Sequence, residues 1–416
     1  MVKIYQAWKN LNIFTRVMIG FAVGIALGVI LGPQAASLQF LGTILIRLLS
    51  MVVAPLVLCM LICAAADVGA KSLGKVGLMT TLIFTFSTSV AITVGLVFAY
   101  LFNVGGAGTL DIEAAGAGGN IAVPSMLDTL IGIVPNNPFA ALTNANLLQI
   151  MFFAMLFGIA LTKLKDKGGA DTLLGIFRTG ADVMKQIINF VLEFTPIGVM
   201  GIMAWVVGEY GLAILLPFGR IIIATYLACA FYILVVQSFI MVRVVGKISP
   251  FRFLKTMKDA TVFAFATCSS VATMPLTLAA TKKLGVSDKI ANFVVPYGTV
   301  VNLDGSAIYQ AIAVVFAAQL YGIELGVPQL LIIVLSATLA SIGTAGVPGS
   351  ALVMLTIVLT AVGLPIEVIG LLAGIDRILN MARVIPNVIG DAAVSVLVAR
   401  TNGEMLDAPA SNTAEG

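Results

Sequence analysis

The sequence predicts an all-α polytopic membrane protein: eight transmembrane helices plus two re-entrant helical hairpins, arranged as inverted repeats. Three observations lead there. Hydrophobic residues make up 60% of the 416 and charged residues only 10%, whereas about 25% of an ordinary soluble domain is charged. Apolar runs of about 20 residues recur along the chain, each long enough to cross the hydrocarbon as a helix. Lysines and arginines gather in alternate connections, as they do in cytoplasmic loops. Unbroken runs such as VMIGFAVGIALGVILG and LLIIVLSATLASIG also lack the alternation of a transmembrane β-strand.

Taken in order, Lys3 and Lys9 precede a first apolar run. It reads as a transmembrane span and not as a secretory leader, because many further spans follow it. Lys71 and Lys75 follow the second span, Lys163, Lys165 and Lys167 the fourth, and Arg243, Lys247, Arg252, Lys255 and Lys258 the sixth. These connections are expected to be cytoplasmic. The GPQAAS turn, the Gly-rich GGAGTLDIEAAGAGGN with Asp111 and Glu113, and the stretch around Glu209 carry no Lys or Arg and are expected outside. Span four is interrupted at IVPNNPFAALTNAN, where Pro135 and Pro138 cannot continue a helix.

Beyond Lys258 the regular pattern fails. TVFAFATCSSVATMPLTLAAT is apolar at both ends, Ser/Thr-rich at its centre, closed by Pro275 and flanked by basic residues on both sides. A segment with two cytoplasmic ends enters and returns on one side, so a hairpin with SSVATMP at its tip is expected; one short span is the alternative. VPQLLIIVLSATLASIGTAGVPGSALVMLTIVLTAVGLP repeats the event between Glu324 and Glu367 without a basic residue, which predicts a second hairpin entering from outside. Each is followed by a helix with polar residues at its middle, NLDGSAIYQ and GIDRILNMARVIPNVIGD. The expected organisation is spans one to six over 1–245, hairpin–helix–hairpin–helix over 250–400, and a polar cytoplasmic tail over 401–416. Two such units of opposite orientation point to a substrate site near the membrane midplane.

Several function classes are excluded. The chain has no histidine, and Cys59, Cys63, Cys229 and Cys268 have no CxxC spacing, so neither a disulfide framework nor a Cys/His metal site is expected, and no cofactor. The net charge of +4 is scattered over short loops and does not form a nucleic-acid face. An intramembrane hydrolase needs an activated serine or an acid pair, and no lysine stands beside either serine cluster; an enzyme is not expected.

The last polar helix carries the chemistry. At about 100° per residue, Asp376, Asn380, Arg383, Asn387 and Asp391 fall within a sector of about 80°. Ionised groups are costly in hydrocarbon unless they face protein, water or a partner, so the stripe is expected to line an internal site. Arg383 is suited to a carboxylate because its planar fork makes bidentate bonds; an ion network with Asp376 or Asp391 is the alternative. Asp391, Asn387, Asn302 and Asp304 offer the hard oxygens a bare Na⁺ needs, unless they serve helix-to-helix hydrogen bonding. The hairpin tips offer helix N-termini and freed amides to an anion, making Ser269, Ser270 and Gly346 candidate carboxylate contacts. Asn380 and Asn387 of the stripe, Ser306 on the first polar helix and Val347 at the second tip complete the candidate substrate set. Gly343, Gly346 and Gly349 give the second tip the flexibility of a gate, or merely form a turn. Arg377 falls off the stripe, Cys268 reads as packing, and Pro386 either widens the helix beside Asn387 or only kinks it.

SIGTAGVPG, NLDG and GID…R…N…GD together, with the NPF of span four and the order of hairpins, resemble the dicarboxylate/amino acid:cation symporter family over nearly the whole chain. The resemblance implies an inner-membrane homotrimer with cytoplasmic termini. Spans one, two, four and five would form a fixed scaffold, and spans three and six with the hairpins a moving transport core. It implies a symporter of a small anionic substrate with a monovalent cation, Na⁺ or H⁺. One cation site would comprise Asp304, Asn302, Ser87 and Thr88, and another Asp391, Asn387 and Gly298. Phe84 departs from the tyrosine frequent in relatives and offers no hydroxyl. Arg383 would take the substrate's distal carboxylate. Acidic-amino-acid members usually carry aspartate and threonine where this chain has Asn380 and Val384, which favours C4-dicarboxylates. Asp391, often lost in proton-coupled dicarboxylate members, favours Na⁺. Proton-coupled glutamate/aspartate symport and an associated anion conductance are the alternatives.

Overall fold

The computed structural model describes residue 11 and residues 13–70, 75–106, 131–164, 169–212, 215–342 and 350–404. All regular structure among them is helical. The Gly-rich loop with Asp111 and Glu113, and the second tip with Gly343, Gly346, Val347 and Gly349, lie outside the described residues.

Helix α1 (Ile13–Leu31) leads through a 3₁₀ turn (Gly32–Leu38) into α2 (Gln39–Ala70), and α3 follows (Lys75–Leu101). Gly32 turns the chain at φ 54 just ahead of Pro33, a left-handed angle that glycine adopts without a Cβ penalty. The interrupted fourth segment is found as expected. A short α4 (Pro138–Thr143) is capped by the Asn137 side chain, and α5 (Leu147–Lys163) by that of Asn146. Helix α6 (Ala170–Tyr210) bends by 49° between Val191 and Glu193. Pro196 lies four residues beyond the bend, where its ring meets the carbonyl of residue 192 and it can donate no hydrogen bond.

Helix α7 (Leu215–Phe231) continues as a π-helix over Tyr232–Val245. The pair α8 (Pro250–Thr267) and α9 (Ser270–Lys283) follows, then α10 (Asp288–Val301) and α11 (Asp304–Leu320), the pair α12 (Val327–Ile342) and α13 (Ser350–Ala361), the short α14 (Val368–Ala373), and α15 (Asp376–Thr401). Helices α8 and α9 pack against each other, as do α12 and α13. The first break lies at Cys268, left-handed at φ 55, and Ser269, whose side chain caps α9 by accepting from the Ala272 N–H. It does not extend to Pro275, which α9 absorbs; neighbouring helices satisfy the backbone group a proline frees in a membrane helix.

Among the described residues five helices are long and apolar enough to span a membrane, and the bent α6, taken as one span, makes a sixth. Their burial differs. Only 22% of the Thr15–Leu45 window is covered, against 94% for Asp288–Leu320 and 83% for Asp376–Thr401. The former presents its apolar surface outward, and the latter two occupy the interior that holds the polar residues.

Packing follows small residues. Gly20, Gly24 and Gly28 of α1 lie against the backbone of Pro196, Met200 and Ala204 on α6; a Cβ on Gly24 would stand 2.6 Å from the Met200 carbonyl oxygen. Four-residue glycine spacing is how membrane helices approach closely. Arg16 and Glu193 join the same two helices by an ion pair of 2.5 Å. Helices α1, α2, α5 and α6 pack on one another, while α3, the π-segment and α8 to α11 pack around α15.

Candidate functional site

The site is built where α15 crosses the break between α10 and α11. Asn302 is extended (φ −92, ψ 97), so the chain leaves one helix and re-enters another within two residues. Two glycines let the helices meet there. A Cβ on Gly305 would run into the Arg383 backbone carbonyl, and one on Gly390 would stand 2.6 Å from Asn302 Nδ2. The Gly305 N–H, one of the donors a helix start leaves open, is taken by Asn387 Oδ1 at 2.8 Å.

Asp304 is 1% exposed, and three hydroxyls converge on its carboxylate: Ser87 at 3.0 and 3.2 Å, Thr88 at 2.9 Å and Tyr232 at 2.8 Å. Asp391, also 1% exposed, accepts from Asn302 Nδ2 at 2.9 Å and from Thr299 at 3.4 Å. Its Oδ1 lies directly against Gly298, where a Cβ would collide with it and with the Phe84 ring. Asn302 Nδ2 also bonds the carbonyl of Asn387 at 3.2 Å, the residue whose side chain holds Gly305, next to Asp304.

Two buried acceptors here, Asn302 Oδ1 and Gln237 Oε1, have no donor among the described residues. Leaving such an atom unsatisfied costs about 1–3 kcal/mol, and a buried ionised carboxylate costs more. Two carboxylates, hydroxyls, carbonyls and donor-less amide oxygens are an all-oxygen set that a hard monovalent cation fits.

The second half of the site is cationic. Arg383 is 2% exposed; its Nη1 donates to Asp376 at 2.7 Å, its Nε donates to Asn380 Oδ1 at 3.1 Å, and its guanidinium lies 4.7 Å from the Tyr309 ring centroid. The polar stripe is therefore assembled on one face, with Val384 buried beside it. Ser270 is buried with no partner for its hydroxyl among the described residues, Ser306 is buried on the first turn of α11, and Ser269 is occupied in capping α9. Arg377 projects away from the stripe and donates to the Ala266 carbonyl at 3.2 Å, near the first break. Helix α15 runs unbroken through Pro386, whose carbonyl accepts from Gln237 Nε2 at 2.8 Å. Gly346 and Val347 lie outside the described residues.

Four contributors escape sequence reasoning: Tyr232, Gln237, Thr299 and Tyr309. Each sits in a largely apolar run, where an aromatic or a single polar residue reads as packing, and the partners of Tyr232, Gln237 and Thr299 are 72 to 149 residues away.

A buried arginine paired with Asp376, and two buried carboxylates set among hard oxygens, lie in the interior of an apolar helical bundle of membrane-spanning length. The chain belongs to the sodium:dicarboxylate symporter family, which it matches over residues 13–401. It is similar to the proton/sodium-glutamate symport protein of Geobacillus stearothermophilus, 35% identical over 97% of this chain and 96% of the relative. The proton/glutamate-aspartate symporter of Escherichia coli is 34% identical over 96% and 93%. The C4-dicarboxylate transport protein of an Anaeromyxobacter species is 34% identical over 95% and 90%.

Proposed function

We propose that the protein is a secondary active transporter that couples inward movement of a monovalent cation, Na⁺ in preference to H⁺, to uptake of a C4-dicarboxylate by alternating access. The observation that carries this reading is the buried Arg383, a fork for a carboxylate in a place where a charge is costly to keep. Asp304 with Asn302, Ser87 and Thr88 forms one cation site, and Asp391 with Asn387 and Gly298 the other. Asn387 contributes its backbone carbonyl, since its side-chain oxygen holds Gly305. Ser269, Ser270, Ser306, Gly346 and Val347 line the substrate with Arg383.

The dicarboxylate is preferred because the Asn380 oxygen is already engaged by Arg383 Nε and carries no charge for a substrate ammonium. Glutamate or aspartate is the second reading, favoured by two of the relatives above, a glutamate and a glutamate-aspartate symporter.

In this reading the chain has eight spans and two re-entrant hairpins, α8 with α9 and α12 with α13. Helices α1, α2, α4, α5 and α6 form the scaffold of a homotrimer, and the remaining helices the moving core. The protein sits in the inner membrane with both termini in the cytoplasm. Uptake of labelled succinate, malate, aspartate and glutamate into proteoliposomes, with and without a Na⁺ gradient, tests the proposal. Accumulation against the succinate gradient that requires Na⁺ and is lost in Arg383→Ala is expected. Sodium-independent uptake unchanged by that substitution overturns the reading, and equilibration without accumulation assigns a channel.

A further inference from the structure

Asp304 is reached by one hydroxyl from outside the helices that supply Ser87 and Thr88. Tyr232 stands in the apolar run CAFYILVV, yet its hydroxyl lies 2.8 Å from Asp304 Oδ2 and 2.8 Å from the Ser87 carbonyl oxygen. It opens the π-helical stretch Tyr232–Val245. Hydrogen bonding five residues back stacks positions five apart, and Tyr232, Gln237 and Val242 are all fully buried. In an α-helix each such step would rotate the side chain by about 140°, turning Gln237 away when Tyr232 faces Asp304.

We infer that Tyr232 is a ligand of the coupling cation at Asp304, its phenolic oxygen joining the hydroxyls of Ser87 and Thr88 around the carboxylate. The inference rests on the reading of Asp304 as a cation site. A ligand hydroxyl must turn its lone pair to the ion while its hydrogen stays satisfied, and Tyr232 has both settings at hand. Its hydrogen goes to the Asp304 carboxylate without the ion, and to the Ser87 carbonyl, at the same distance, with it. Ser87 has the same option, since its hydroxyl also reaches the Phe84 carbonyl at 3.2 Å. A tyrosine that served packing alone would need one acceptor, and the Ser87 carbonyl would suffice; the second contact, to the carboxylate, is the one that packing does not require. Phe84 cannot substitute, because its Cζ lies against Gly298, on the side of Asp391.

The test is Tyr232→Phe, which removes one oxygen and keeps the ring, assayed in proteoliposomes beside Thr88→Ala and Asp304→Asn. The half-saturating Na⁺ concentration is expected to rise about tenfold, while half-saturation by succinate at saturating Na⁺ moves less than about twofold. A tyrosine with a purely structural role would lower both the yield of folded protein and the maximal rate, without that split. If Thr88→Ala and Asp304→Asn shift the Na⁺ dependence and Tyr232→Phe does not, the assignment of Tyr232 is overturned and the cation site stands. If Asp304→Asn leaves the Na⁺ dependence in place, the site itself is wrong. Should the Phe variant fail to fold, the wild-type protein decides. Na⁺ titration is expected to give a tyrosine ultraviolet difference band that Asp304→Asn abolishes, and a wild type without such a band overturns the inference.

Discussion

Arg383 and Asp376 stand seven residues apart on one helix and meet at 2.7 Å with the guanidinium 2% exposed. The arginine is thus neutralised by its own helix, and a substrate carboxylate must displace Asp376 or share the fork with it. Asp376→Asn should destabilise the substrate-free protein by about 3 kcal/mol, the cost of leaving one buried charge without its partner. Succinate then becomes the only carboxylate for Arg383, so its stabilising effect on thermal unfolding should exceed that in the wild type. An equal effect in both proteins would mean that Asp376 does not compete with substrate.

Asn380 is the position where substrate identity is decided. Its oxygen accepts from Arg383 Nε, and as an amide it gives an ammonium no countercharge. Asn380→Asp should raise aspartate uptake relative to succinate by about tenfold, about 1.4 kcal/mol. The gain comes from a new charge partner for the amino group and from competition with succinate's second carboxylate. Competition uptake with both substrates measures the ratio, and an unmoved ratio removes the argument for dicarboxylates.

Much of this site was legible in the sequence, and for one reason. Five polar residues at helical spacing within an apolar chain have no role in hydrocarbon, so their alignment on α15 reports an internal face. The broken fourth segment was legible because prolines flank polar residues there, and the helix break at Cys268 and Ser269 because a serine cluster interrupts an apolar run. What stayed hidden depends on tertiary contact. Tyr309 is an ordinary apolar-run aromatic until the fold lays Arg383 on it. The π-winding that brings Tyr232 and Gln237 to one face leaves no mark in composition. One proline misled in the other direction. Pro275 read as the close of a tip, yet it lies inside a continuous helix.

Gly298 tests the geometry of the Asp391 group without adding or removing a ligand oxygen. A Cβ there would collide with the Asp391 carboxylate and would stand 2.7 Å from the Phe84 ring, whereas one on Gly219 would meet nothing within 4 Å. Gly298→Ala should therefore reduce Na⁺-driven uptake by at least about tenfold, and Gly219→Ala, also helical, should cost neither transport nor stability. If both alanines behave alike, close approach at Gly298 is not required.

Asp391 offers the sharpest separation of stability from transport. Its carboxylate is buried with two donors, Asn302 and Thr299, and without a cation its charge is compensated only by those dipoles. An asparagine keeps an oxygen for one of these bonds and removes the charge, so it abolishes the cost of burying an ion. Asp391→Asn should therefore unfold at the same or a higher temperature than the wild type in Na⁺-free buffer, while the rise in unfolding temperature on adding Na⁺ shrinks or vanishes. Binding linkage requires the two effects to go together, since a cation stabilises the fold only through the site that holds it. Na⁺-driven accumulation in proteoliposomes should fall in parallel. A variant that is destabilised without Na⁺ yet keeps the full Na⁺-induced shift would show that Asp391 serves helix packing and that the cation binds elsewhere.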